Sequence, residues 1–155
     1  MKRRARPPKR STPAKKAKRS AISHAPVAGM PRIGLESSVQ RVVPHEWTIA
    51  AFDPRMPPVL STPAMIGMME IAAAQAVQSD LPSGAFTVGT RIEVDHLKAV
   101  TDGATVRAAA RLVGYQGRFL VFDVEARSGD LVLGRGRVFR AIVDNRKFPI
   151  TPNEQ

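Results

Sequence analysis

From Ala64 to Val77 the chain runs for fourteen residues without a lysine or arginine, and its only long polar side chains are Glu70 and Gln75. At 3.6 residues per turn, alanines, methionines and isoleucines fall on nearly every side of such a segment. Thr62-Pro63 reads as its start, because threonine can cap a helix and proline is favoured at the first helical position. Asp80-Leu81-Pro82-Ser83-Gly84 stops it. The expected helix therefore covers Ala64 to about Gln78. A helix that is apolar all round is expected to be buried all round. At about 15 residues it is too short to span a bilayer, so the remaining chain has to wrap it with a sheet.

The rest of the sequence supplies that sheet. Residues 38–49 are rich in β-formers (Val39, Val42, Val43, Trp47, Ile49), and the prolines at 54, 57 and 58 then interrupt them. Four strand-like segments follow the helix. Residues 86–97 alternate, with Phe86, Val88, Thr90, Ile92, Val94 and His96 expected on one face and Arg91, Glu93 and Asp95 on the other. Residues 105–115 set Val106, Ala108, Ala110 and Leu112 against Arg107 and Arg111. Residues 118–127 set Leu120, Phe122, Val124 and Ala126 against Asp123, Glu125 and Arg127. Residues 131–144 form a long last strand. Asp102-Gly103, Gln116-Gly117 and Ser128-Gly129-Asp130 supply the turns between them. The expected class is α+β: an antiparallel sheet of about five strands curved around one helix, which is the hotdog architecture.

Charge divides the chain. Ten of the 24 Lys and Arg residues lie among the first 19 positions with no acid between them, whereas the other 14 face all 13 acids. Residues 1–33 are expected to be a disordered basic tail, too poor in apolar surface to offset the entropy of ordering. A hotdog domain is expected over 34–149 and a short C-terminal tail over 150–155. The basic tail is either a solvated, non-specific segment or a weak contact for anionic polymers such as nucleic acid. No aromatic residues interleave with its charges to stack bases. The chain has no cysteine, which removes disulfides, thiolate metal sites and cysteine nucleophiles. There is also no run of about 18 apolar residues. The expected setting is cytoplasmic.

Three residues stand out chemically. Glu70 has Ile66, Gly67, Ala73 and Ala74 three and four positions away, none of them basic. Such a carboxylate loses hydration unless a distant residue partners it. His96 ends an otherwise apolar strand face. Thr62 sits at the helix start, where backbone N–H groups favour developing negative charge. Two turns, about 12 Å, separate Thr62 from Glu70 along the axis, so a substrate could lie between groups that do not touch. Taken singly, Thr62 can be a plain cap and His96 a satisfied core histidine. His24 and His45 belong to no metal-ligand spacing.

With these residues in view, the sequence resembles the fluoroacetyl-CoA thioesterase-like branch of the hotdog superfamily. The likeness is carried by residues 59–70, by Thr87-Val88-Gly89-Thr90 through His96-Leu97, by Gly117-Arg118 and by residues 134–143. It implies that Thr62, Glu70 and His96 are catalytic, and that Gly89 and Arg140 contact the substrate. It further implies hydrolysis of a short-chain acyl-CoA to free acid and CoA with no metal or organic cofactor, in a homodimer. The chain departs from that family in its lid, where Asp53 and Met56 stand in place of phenylalanines with Phe52 adjacent. It departs again ahead of Arg140, where Val138 and Phe139 replace a histidine and a glutamate. Two other readings stay open: a hotdog acyl-CoA hydratase or dehydratase, and a non-catalytic dimerisation module whose tail contacts nucleic acid.

Overall fold

The computed structural model describes residues 20–25 and 27–147. Most of the basic tail expected over 1–33, as far as residue 19, and the C-terminal tail at 150–155 lie outside the described residues. Strand β1 (Glu36–Val42) leads through two short 3-10 turns to helix α1 (Thr62–Val77), and β2 (Ala85–His96), β3 (Thr105–Gln116), β4 (Phe119–Ser128) and β5 (Leu131–Asp144) follow. They form one antiparallel sheet in the order β1-β3-β4-β5-β2. β1 is shorter than expected. Pro44 lacks a donor for a ladder, and residues 45–47 and 49–51 coil into the 3-10 turns.

The helix packs on one face of the sheet, where Met65, Met68, Met69, Ala72, Ala73 and Val77 meet Leu112, Leu120, Phe122 and Val138. It is not buried all round. Pro63, Ile71 and Gln75 are exposed, and Ile66, Gly67, Glu70 and Ala74 are half-buried along the same stripe. A five-stranded sheet covers only the opposite side. Ser61, not Thr62, is the N-cap: its side chain accepts from the Ala64 N–H at 3.4 Å, and Pro63 lies in the first turn.

The phase of β2 also differs from the simple alternation. The β2–β5 pairing shifts at a bulge, with Gly89 opposite Arg140 and Arg91 opposite Phe139, so Thr90 is the extra residue. Its hydroxyl donates to the Phe139 carbonyl at 3.0 Å. Thr87 and Gly89 face the helix before the bulge, and Val94 and His96 face it afterwards. Gly89 and His96 are an odd number of positions apart, and only the extra residue puts both on one face.

The outer sheet face is charged. One row crosses all five strands as Glu36, Arg111, Asp123, Arg137 and Glu93, alternating in sign at every step. Several of the described residues ahead of β1 lie against the sheet. Ser23 exchanges two backbone hydrogen bonds with Tyr115 at 2.7 and 2.8 Å, and the Tyr115 hydroxyl donates to the Pro31 carbonyl. Met30 and Ile33 rest on the core.

Candidate active site

Two polar pairs lie where α1 meets β2 and β5. The first joins the helix start to the end of β2: Thr62 Oγ1 and His96 Nδ1 share a hydrogen bond of 2.8 Å. Because Ser61 serves as the cap, the Thr62 hydroxyl is free for this bond. His96 Nε2 is enclosed and has no protein partner among the described residues. Thr62 and His96 thus touch directly, although the sequence did not require it.

The second pair lies two turns along the helix. Glu70 Oε1 accepts from Arg140 Nη1 at 3.1 Å. Arg140, only 6% exposed, is fixed by Thr87, to whose hydroxyl its Nε donates at 2.9 Å and to whose carbonyl its Nη2 donates at 2.8 Å. Burial pushes the Arg140 guanidinium down from its ordinary pKa, and the Glu70 charge opposes that shift. Glu70 is thus not a lone carboxylate. Its counter-charge arrives from 70 residues away, out of reach of any helical spacing rule.

Gly89 makes this pair possible. A Cβ at that position would overlap Glu70 Oε1 outright, so the bare backbone is the seat of the carboxylate. Above it opens a hollow of ≈ 430 Å³ lined by Glu70, Gly89, Thr90, Arg91 and Ile92. The structure therefore groups Glu70, Gly89 and Arg140, and separately Thr62 and His96, with no hydrogen bond between the two groups. Thr87 and Thr90 escaped the residue-level reading. Their signal was the Thr87-Val88-Gly89-Thr90 stretch, whose threonines look like ordinary β-formers. In the segment before α1 Asp53 pairs with Arg55, while Phe52 and Met56 are 76% and 46% exposed.

A five-stranded antiparallel sheet packed on one helix defines a hotdog-fold protein. The family model described as "FlK: Fluoroacetyl-CoA-specific thioesterase" matches residues 43–146. The fluoroacetyl-CoA thioesterase of Streptantibioticus cattleyicolor is 33% identical over 123 residues, covering 76% of this chain and 88% of that one. A solved structure of a threonine-to-serine variant of FlK in complex with acetyl-CoA is 32% identical. It covers 76% of this chain and 92% of its own at a TM-score of 0.70. A thioesterase superfamily member from Thermus thermophilus is 28% identical, with a TM-score of 0.69 and coverage of 76% and 88%. The chain belongs to the fluoroacetyl-CoA-specific thioesterase family.

Proposed function

We propose that the protein hydrolyses a short-chain acyl-CoA to the free acid and CoA, with Glu70, His96 and Thr62 as its catalytic residues. The observation that carries this reading is the carboxylate of Glu70, held by Arg140 against the bare backbone of Gly89 at the floor of an open hollow. For a thioester carbonyl in that hollow, backbone N–H groups of Gly89 or of the α1 N-terminus are the proposed oxyanion donors. Glu70 then acts in one of two ways. As general base it takes a proton from water, and the resulting hydroxide adds to the carbonyl carbon. As nucleophile it adds directly, giving an anhydride that water opens. In both routes the C–S bond breaks and the CoA thiolate leaves with a proton supplied by His96 Nε2. Thr62 holds the imidazole through Nδ1.

The proposal includes a second copy of the chain over the uncovered stripe of α1, where Ile71 is 49% exposed. On this reading the site is completed in a homodimer. The fluoroacetyl group is not carried over, because the lid bears Asp53 and Met56 in place of phenylalanines.

The test is thiol release from a panel of short, branched and aromatic acyl-CoAs. The parent chain should be active on at least one, and Glu70→Gln should lose about 10²-fold or more of kcat while keeping its melting temperature within a few degrees. Equal turnover by parent and variant would refute the assignment.

A further inference from the structure

One short stretch of β2 holds both partners of the buried ion pair. Gly89 seats the Glu70 carboxylate, and Thr87, two residues back on the same face, holds the Arg140 guanidinium. In the ladder Arg140 stands opposite Gly89, whereas Thr87 stands opposite Ile142. The arginine head therefore runs diagonally, away from the residue it faces, to reach the threonine. There the hydroxyl takes Nε at 2.9 Å and the carbonyl takes Nη2 at 2.8 Å. Any residue at this position supplies the carbonyl, but only a side chain with an acceptor oxygen supplies the second bond. Thr87 is 8% exposed, so bulk water cannot stand in for a lost hydroxyl.

These two bonds decide how the guanidinium meets Glu70. An unrestrained arginine tends to grip a carboxylate with two parallel N–H groups, one on each oxygen. Here Nε and Nη2, the side-on pair suited to that grip, are engaged by Thr87, and Nη1 alone reaches Glu70, at Oε1. Oε1 is also the oxygen pressed on the bare backbone of Gly89, because a Cβ there would overlap it and stand 3.6 Å from Oε2. Both restraints act on one oxygen. Oε2 accepts no hydrogen bond among the described residues, and the Glu70 side chain is 30% exposed.

We propose that Thr87 is a positioning residue that keeps the Arg140–Glu70 pair one-sided, so that Oε1 is held and Oε2 is the reacting atom. As general base, Oε2 takes the proton of the water whose hydroxide adds to the carbonyl carbon. As nucleophile, Oε2 forms that bond itself, and water later opens the anhydride. In both routes the C–S bond breaks and the thiolate leaves with a proton from His96, while Oε1 keeps its arginine. Without the Thr87 hydroxyl, the freed Nε can turn to the carboxylate and cover Oε2 as well. The inference rests on the acyl-CoA reading above and assigns the atom that acts within it.

Thr87→Val keeps the shape of the side chain and removes its acceptor. It should lower kcat for acyl-CoA hydrolysis about tenfold and leave KM nearly unchanged. Thr87→Ala serves the same purpose if the valine variant folds poorly. Thr87→Ser, which keeps the oxygen, should return kcat to within about threefold of the parent. The Arg140 Nε–H signal in proton–nitrogen NMR reads the clamp without turnover. It should exchange slowly with water in the parent and in Thr87→Ser, and fast in Thr87→Val. If the parent hydrolyses acyl-CoA and Thr87→Val matches its kcat, the hydrolase reading stands and the positioning role is refuted. A Thr87→Ser enzyme as slow as Thr87→Val, or an Nε–H equally protected in all three proteins, would also refute it. If the parent hydrolyses no acyl-CoA, the hydrolase reading falls and takes the role of Oε2 with it, whatever the Nε–H exchange shows.

Discussion

The sharpest perturbation of the site is a single methyl group at Gly89. In Gly89→Ala the added carbon would overlap Glu70 Oε1, with Cδ at 3.2 Å and Oε2 at 3.6 Å. Side-chain ends usually yield to such crowding, but this one is held by Arg140 at 3.1 Å. To regain van der Waals contact the carboxylate must withdraw by about 1 Å. A misplacement of that size costs about 10²-fold in rate, or about 2.7 kcal/mol of barrier. The retreat also loosens the bond to a buried guanidinium, worth about 1–3 kcal/mol. The lost freedom of the unfolded chain returns about 0.4–1 kcal/mol. The expected result is therefore a kcat some hundredfold lower with only a modest fall in melting temperature. Thiol release under saturating acyl-CoA reads the first, and thermal unfolding reads the second. The control is Gly67→Ala on α1, the helix that carries Glu70, where an added Cβ meets nothing within 4 Å. A Gly89→Ala enzyme turning over within about threefold of the parent would show that the position of the carboxylate does not matter.

The neighbouring residues separate fold from chemistry. Ser61→Ala should cost about 0.5–1 kcal/mol of stability in urea titration with activity kept, whereas Thr62→Val should keep stability and lower kcat. Arg140→Met should destabilise by about 2–4 kcal/mol in the same titration, below the full cost of breaking a buried pair because the Glu70 side chain is 30% exposed. Ile71→Glu on the open helix stripe should convert a dimer to a monomer in sedimentation velocity, without lowering the monomer's unfolding temperature.

Much of this was legible before any coordinates. The apolar run of α1 demanded a covering sheet, and alternation placed the inward residues of β3 and β4 correctly. The rest depended on events that period and propensity do not record. The bulge at Thr90 inverts half of β2, and a threonine in a strand gives no sign that it is the extra residue. The ion pair of Glu70 lies across the sheet, so the helix sequence showed only an acid without neighbours. Ser61 and Thr62 are both good capping residues, and only the backbone geometry chooses between them. The covering of the helix was overestimated because one sheet has one face to offer.

The clasp of Tyr115 on Ser23 and Pro31 sets a timetable for synthesis. Its hydroxyl reaches a carbonyl 84 residues earlier in the chain. At about 5–20 residues per second this interval takes about 4–17 s on the ribosome. β2 waits likewise for β5, its sole neighbour in the sheet among the described residues. The nascent helix, with its methionine-rich surface, is thus made well before the strands that shelter it. A chaperone that holds greasy segments should meet this chain early and release it only when β5 has emerged.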